Sequence, residues 1–276
     1  MLKSKINPTS IQFYKSILLT FITLLIIWFW YSGLMIHHVW DSPFNYKAAD
    51  PIYYLMDTLG ISKLVLYSRN SALVFDGLLM VSLLASLVFP NRIIFIRFTA
   101  ILLLIYHVLL NAKMGYHAHH LFALHFALVP FWVKSKHFVP AFLLSRNLAC
   151  LTYFTAGFFK LYHGAWLSME SFSAVLSNQH AAYFYFNPNT LRTIISQWII
   201  QNPSIGMLFF GTSMLLQLIF FIGFWTKKYD KFLVIGIIVF HLMDWFLMNL
   251  GVFLSMISLV WMFLYQINQH KTTNSI

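Results

Sequence analysis

Tyr153-Phe-Thr-Ala-Gly-Phe-Phe-Lys160-Leu-Tyr-His163-Gly-Ala-Trp166 closes an apolar, helix-length run that begins near Pro140. Its lysine decides how the chain is read. An ammonium held in hydrocarbon is costly, so an ionisable side chain inside a spanning segment marks a functional site by default. Tyr153, Ala156, Gly157, Lys160 and Gly164 recur at helical spacings that put them on one stripe. The small residues among them let a neighbouring helix or a flat ligand approach the lysine closely. The plainer reading is that Lys160, shortly before Trp166, snorkels to the headgroups from a helix end.

Outward from this stretch, composition settles the class. Of the 276 residues 60% are hydrophobic, 19% aromatic and only 9% charged, which excludes an ordinary soluble domain and describes a polytopic membrane protein. The net charge of +11 is no sign of nucleic acid. No basic run with interleaved aromatics exists, and the lysines and arginines fall in short gaps between apolar spans, as a positive-inside bias requires. The single cysteine, Cys150, excludes a disulfide within the chain and a cysteine metal site. The first apolar stretch runs on through Trp28, Trp30 and Tyr31 with no small-residue cleavage site, so no cleavable signal is expected.

Apolar runs at about 16–36, 71–89, 93–112, a short fourth ending near Trp132, 140–162, 205–225, 232–247 and an eighth ending near Tyr265 give about eight transmembrane helices. Lys3, Lys5 and Lys15, then Arg92 and Arg97, Lys134, Lys136 and Arg146, and Lys227, Lys228 and Lys231 mark the inner side. The expectation is an all-α polytopic integral membrane helical bundle, one domain over residues 1–276, with both termini cytoplasmic, in the cytoplasmic (inner) membrane of a bacterium. The lipid bilayer is its first partner. Two long outer segments follow the first and fifth spans, with amphipathic pieces at Ile52–Leu66 and Leu191–Ile200.

This layout sorts the histidines unevenly. His37, His38, His117, His119, His120, His163 and His180 fall at or beyond the outer ends of spans, on the side where Lys160 emerges. A lone interfacial histidine is usually an amphipathic headgroup residue, but several on one side suggest a site. His241 and Asp244 stand three apart on one helix, where the carboxylate can orient the imidazole or the two can simply pair as buried polar groups. The candidate site is a pocket opening outward, lined by the fifth and seventh spans and the loop around His117.

Tyr153-Phe-x-Ala-Gly-x-x-Lys160-Leu followed by Trp166 resembles the lysine-bearing helix of the vitamin K-dependent γ-glutamyl carboxylases. His241-x-Met243 followed by Gly251-x-Phe253 resembles a second signature of their membrane part, and His117 to Pro130 is similar to the segment preceding the lysine helix. On these residues the chain resembles the horizontally transferred transmembrane domain family over about Tyr116 to Phe263. In that family the lysine deprotonates vitamin K hydroquinone. Oxygen then adds to give a strongly basic alkoxide, which takes a proton from the γ-carbon of a glutamate. Carbon dioxide traps the carbanion, and the quinone leaves as its epoxide. Carried over by position, Lys160 is the initiating base and His241 a hydrogen-bonding partner to the quinone or an oxyanion; Asp244 is counted with them as the carboxylate that can orient His241. Tyr153, Gly157, His117, His120 and His163 line the binding site for reduced vitamin K or a menaquinol-type hydroquinone, with oxygen and carbon dioxide as co-substrates. Burial works against the ammonium form of a lysine and so favours the neutral amine a base must be.

The chain also departs from that pattern. No counterpart is expected of the large luminal portion with which animal carboxylases bind a substrate propeptide, Asp244 stands where they have a neutral amide, and Phe159 replaces a second lysine. Compact bacterial members of the family are associated with maturation of exported toxin peptides, so an exported peptide or a small partner protein is the expected partner. Two other classes remain open. One is a metal oxygenase, for which His37-His38 and His117-x-His119-His120 would be ligands, although no carboxylate accompanies them at ligand spacing. The other is a non-enzymatic membrane binder or transporter, with Lys160 and Asp244 as charges along its path.

Overall fold

Four stretches are both long enough and apolar enough to cross a membrane: Ile11–Val39, Arg69–Val88, Ile93–Met114 and Pro203–Trp225. Shorter apolar helices occupy Ala123–Trp132 and Met256–Tyr265. The structure, a computed structural model, describes residues 8–44, 51–114, 121–164, 171–248 and 256–265. Every regular element among the described residues is helical, as expected. His117, His119 and His120, and with them the loop expected to line the pocket, lie outside the described residues, as do Trp166, Gly251 and Phe253.

The chain divides into two compact units, residues 1–145 with 257–259 and residues 146–256 with 260–276. The first holds α1 (Pro8–Tyr31), α2 (Ile36–Val39), α3 (Pro51–Thr58), α4 (Ile61–Val65), α5 (Arg69–Val88), α6 (Ile93–Met114) and α7 (Phe122–Leu128). A 25-residue helix, α8 (Phe138–Tyr162), begins in it and continues into the second. There it joins α9 (Ser171–Phe186), α10 (Leu191–Gln201), α11 (Pro203–Leu218), α12 (Phe220–Trp225) and α13 (Asp230–Met248). A last helix, α14 (Met256–Tyr265), follows.

The amphipathic outer piece at Ile52–Leu66 is two helices, because Gly60 takes a positive φ of 76° between α3 and α4, a conformation open to glycine at no steric cost. The second amphipathic piece is α10, capped where the Thr190 hydroxyl accepts from the Thr193 amide. α8 and α13 are also long, at 25 and 19 residues, but carry Arg146 and Lys160, and Asp230, Lys231 and Asp244 respectively.

In the first unit the core is built around Tyr14, fully buried, which stacks on Phe131 and meets Phe142 edge-on. Its hydroxyl donates to the Ala127 carbonyl at 3.2 Å. Outward faces are apolar too. Leu24, Ile27, Val74, Val81, Leu84 and Val88 are all exposed, which suits helices whose solvent is lipid and not water.

Several basic residues also hold backbone carbonyls, a use that their position in the sequence does not reveal. Lys15 is buried and donates to the Pro90 carbonyl at 2.6 Å, just past the end of α5. Arg97 donates to the carbonyls of Phe131 and Trp132. Lys113 donates to those of Trp40 and Ser42, beyond α2. Arg146 lies inside α8 and not in a loop. It donates to Gly223 at 2.6 Å and to Thr226 at the end of α12, and its guanidinium forms a buried ion pair with Asp230, with Nε 3.2 Å from Oδ2. The last carbonyls of a helix have no partner within it, and basic side chains satisfy them while complementing the negative end of the dipole.

Candidate functional site

α8 ends in a way that fixes Lys160 in its last turn. Gly164 adopts a positive φ of 64°, and the amides of His163 and Gly164 donate to Phe159 and Leu161, a left-handed stop of the kind that commonly closes a helix. Upstream, Tyr153 and Gly157 are buried and Lys160 is half-buried, while Leu151, Phe158, Phe159 and Tyr162 face outward. The stripe read from the sequence is therefore the inward face of the helix.

Against that stripe lies α11. A Cβ added at Gly157 would meet the Gln217 Cβ at 2.9 Å, the Leu218 nitrogen at 3.0 Å and the Met214 carbonyl oxygen at 3.1 Å. Gly157 is thus a point where a neighbouring helix approaches closely, the first of the two uses its size allowed. Below it, Tyr153 stacks on Phe220 with ring centroids 4.4 Å apart. Above it, the Lys160 amine stands 5.5 Å from the ring centroids of both Phe210 and Phe240, within the range at which a cation is attracted to an aromatic face.

The polar partners come from α13. His241 is buried, and its Nε2 lies 2.6 Å from the Tyr153 hydroxyl. Its Nδ1 stands 3.6 Å from Asp244 Oδ2, beyond hydrogen-bond length but near enough for the carboxylate to favour a proton on Nδ1. In that tautomer Nε2 accepts from the Tyr153 hydroxyl. The same hydroxyl is 3.3 Å from the Met256 sulfur. Asp244 and Lys160 feel each other's charge without forming a direct ion pair. Asp244 also lines a pocket of about 30 Å³ with Phe172, Phe209, Ser213, Phe240, Met243 and Leu247.

Lys160, Tyr153, Gly157, His241 and Asp244 are brought together, each by a side of α8 or α13 that packs inward. His163 is not gathered with them. It is exposed, and its ring contacts are with Phe159 and Tyr162 on its own helix. His117 and His120 are outside the described residues. Among the described residues no group of three or more His, Cys, Asp and Glu side chains is placed to hold a metal ion.

Two features escaped the sequence reading. Gln217 faces the stripe from α11. In the first unit, Asp76 is wholly buried and accepts from the His37 ring nitrogen Nδ1 at 2.7 Å, the His37 amide at 2.9 Å and the Ile36 amide at 3.3 Å. It thereby caps α2 and fixes the His37 ring, which lies against His38 and Trp30. The signal for Asp76 was present: it is the single acidic residue in the 20 residues of α5, and the rule that singled out Lys160 applies to it equally.

Compared with protein-family models, with curated proteins and with solved structures, the chain matches none.

Proposed function

We propose that the chain is a quinol-linked membrane enzyme, similar in chemistry to the vitamin K-dependent carboxylases, in which Lys160 is the proton-accepting base. About eight spans, with both termini cytoplasmic in the inner membrane, open the site to the outer side. The observation that carries the reading is the setting of Lys160: its amine lies 5.5 Å from the ring centroids of both Phe210 and Phe240, and Phe240 lines a small aromatic pocket together with the Asp244 carboxylate. That is the mostly apolar, sparsely polar character of a small-ligand site.

The chemistry of the donor set fits a hydroquinone, with aromatic faces for its ring and an amine and an imidazole–phenol pair for its oxygens. A pocket of about 30 Å³ holds a water molecule and not a bicyclic ring, so entry requires the phenylalanines of the wall to swing aside. The bound hydroquinone supplies the reducing equivalents, with oxygen and carbon dioxide as co-substrates. The chain's own part is proton handling. Lys160, as the free amine, accepts a proton from a ring hydroxyl. Asp244 stabilises the ammonium that results, and the Tyr153–His241 pair holds a hydrogen-bonded polar wall below it. The substrate carboxylated is an exported peptide or a small partner protein.

The test is hydroquinone oxidation by proteoliposomes carrying wild type, Lys160→Ala or Lys160→Arg, alongside mass spectrometry of lipid extracted from the purified protein. Oxidation by wild type alone, with a stoichiometric naphthoquinone in the extract, is the expected result. No oxidation and no bound quinone would return Lys160 and Asp244 to a non-enzymatic charge pair.

A further inference from the structure

Gln217 is 5% exposed, and its Oε1 is buried with no hydrogen-bond partner among the described residues. Its place in the fold gives that orphan atom its interest. α8 and the α11–α12 segment run past each other so that Tyr153 meets Phe220, Gly157 meets Gln217 and Lys160 meets Phe210. Gln217 therefore sits at the level between the ring stack and the amine, one helical turn from Ser213, which shares the pocket wall with Asp244. Its Cβ is held tightly at the Gly157 crossing, which restricts where the rest of the side chain can go.

A buried amide oxygen without a donor is destabilising, and the loss is not made good by bulk solvent in a segment surrounded by lipid. If packing were all that the position required, leucine or methionine would fill the same volume without that penalty. Buried unsatisfied groups are few in native proteins, and each calls for a reason. A ligand that brings its own donor supplies one.

We propose that Gln217 is a ligand-contacting residue of the Lys160 site, its amide oxygen accepting a hydrogen bond from a hydroxyl of the bound ring. This rests on the quinol reading and sharpens it. A hydroquinone carries O–H donors, whereas the oxidised quinone offers only acceptors, so an acceptor at Gln217 makes the site selective for the reduced form. The base at Lys160 takes the proton of one hydroxyl, and Gln217 holds a hydroxyl that keeps its proton.

The experiment compares wild type with Gln217→Leu and Gln217→Met in lipid nanodiscs, measuring the unfolding temperature alone and with a naphthohydroquinone kept reduced, or with the corresponding naphthoquinone. Without ligand, the two variants should unfold at or above the wild-type temperature, because the orphan oxygen is gone. Hydroquinone affinity should fall about 3- to 10-fold, the worth of one hydrogen bond, with quinone affinity unchanged. Variants that unfold below wild type without ligand would show that the oxygen serves the fold, and the proposal would fail. Wild type and variants binding hydroquinone equally would remove Gln217 from the site while leaving the quinol reading in place. Wild type binding neither form would overturn the quinol reading and this proposal with it.

Discussion

His241 meets the Tyr153 hydroxyl at 2.6 Å through Nε2, while its Nδ1 stands 3.6 Å from Asp244. The nearer partner is the tyrosine, not the carboxylate three residues along the same helix. Tyr153→Phe should therefore move the His241 ring nitrogen resonances more than Asp244→Asn does, and should lower turnover about 3- to 10-fold, as loss of one hydrogen bond does. Asp244→Asn should be milder than Asp244→Ala, since an amide oxygen still accepts from Nδ1–H. Nitrogen NMR on protein labelled at histidine is the measurement. A spectrum unmoved by Tyr153→Phe would reduce the pair to packing.

For Lys160, arginine separates the two readings of the residue. A snorkelling anchor tolerates Lys160→Arg, because guanidinium reaches headgroups and stays charged. A base does not, since arginine keeps its proton at any accessible pH. Hydroquinone oxidation should fall about 10²- to 10⁴-fold in Lys160→Arg and Lys160→Ala alike, the usual contribution of a positioned base. An active Lys160→Arg protein would take Lys160 out of the chemistry.

Gly157→Ala puts a methyl 2.9 Å from the Gln217 Cβ and 3.0 Å from a backbone nitrogen, where a helix, not a flexible side-chain end, must give way. Overpacking of this kind costs about 1–3 kcal/mol. Gly211→Ala on α11 meets nothing within 4 Å and should instead stabilise by roughly 0.5–1 kcal/mol. Denaturation of both in the same detergent gives the comparison, and an equal effect of the two would mean that the helices do not cross at Gly157.

Asp76 is tied to two amides and one ring nitrogen. Asp76→Asn keeps an acceptor for the α2 amides and should fold, whereas Asp76→Leu leaves them bare and should lose folded protein. Yield of monodisperse protein after extraction decides it. Equal yields would mean that the cap is dispensable.

Orientation is checked on a Cys150→Ala background. A cysteine at exposed Ser177 should react with an impermeant thiol reagent added outside, and one at exposed Lys228 should not. The reverse pattern would invert the proposed topology.

Helix identity and the inward-facing stripe of α8 were legible because both depend on spacing along one chain. A 3.6-residue period puts Tyr153, Gly157 and Lys160 together whatever surrounds them, and a cation in an apolar run is conspicuous. What sequence could not supply was which helix answers each position. Gln217 reads as an ordinary polar residue of a span until Gly157 is found against it. His241 reads as the partner of Asp244, three residues away, because a partner 88 positions earlier leaves no local trace. The short apolar helices were hardest to assign, since Ala123–Trp132 and Met256–Tyr265 are apolar without being long.

Arg146 and Lys15 illustrate a difference between the charge that orients a membrane protein and the charge it finally displays. During insertion the chain is read before it folds, and on the proposed topology both residues then count toward the cytoplasmic side. Once folding is complete, each is buried on a carbonyl or a carboxylate, while Lys134, Lys136, Lys228 and Lys231 remain exposed. Replacing Lys15 or Arg146 with an uncharged residue would therefore act twice, first on the fraction of chains threaded the right way and then on the stability of those that are. Anionic lipid headgroups, which meet only the finished surface, would register neither change.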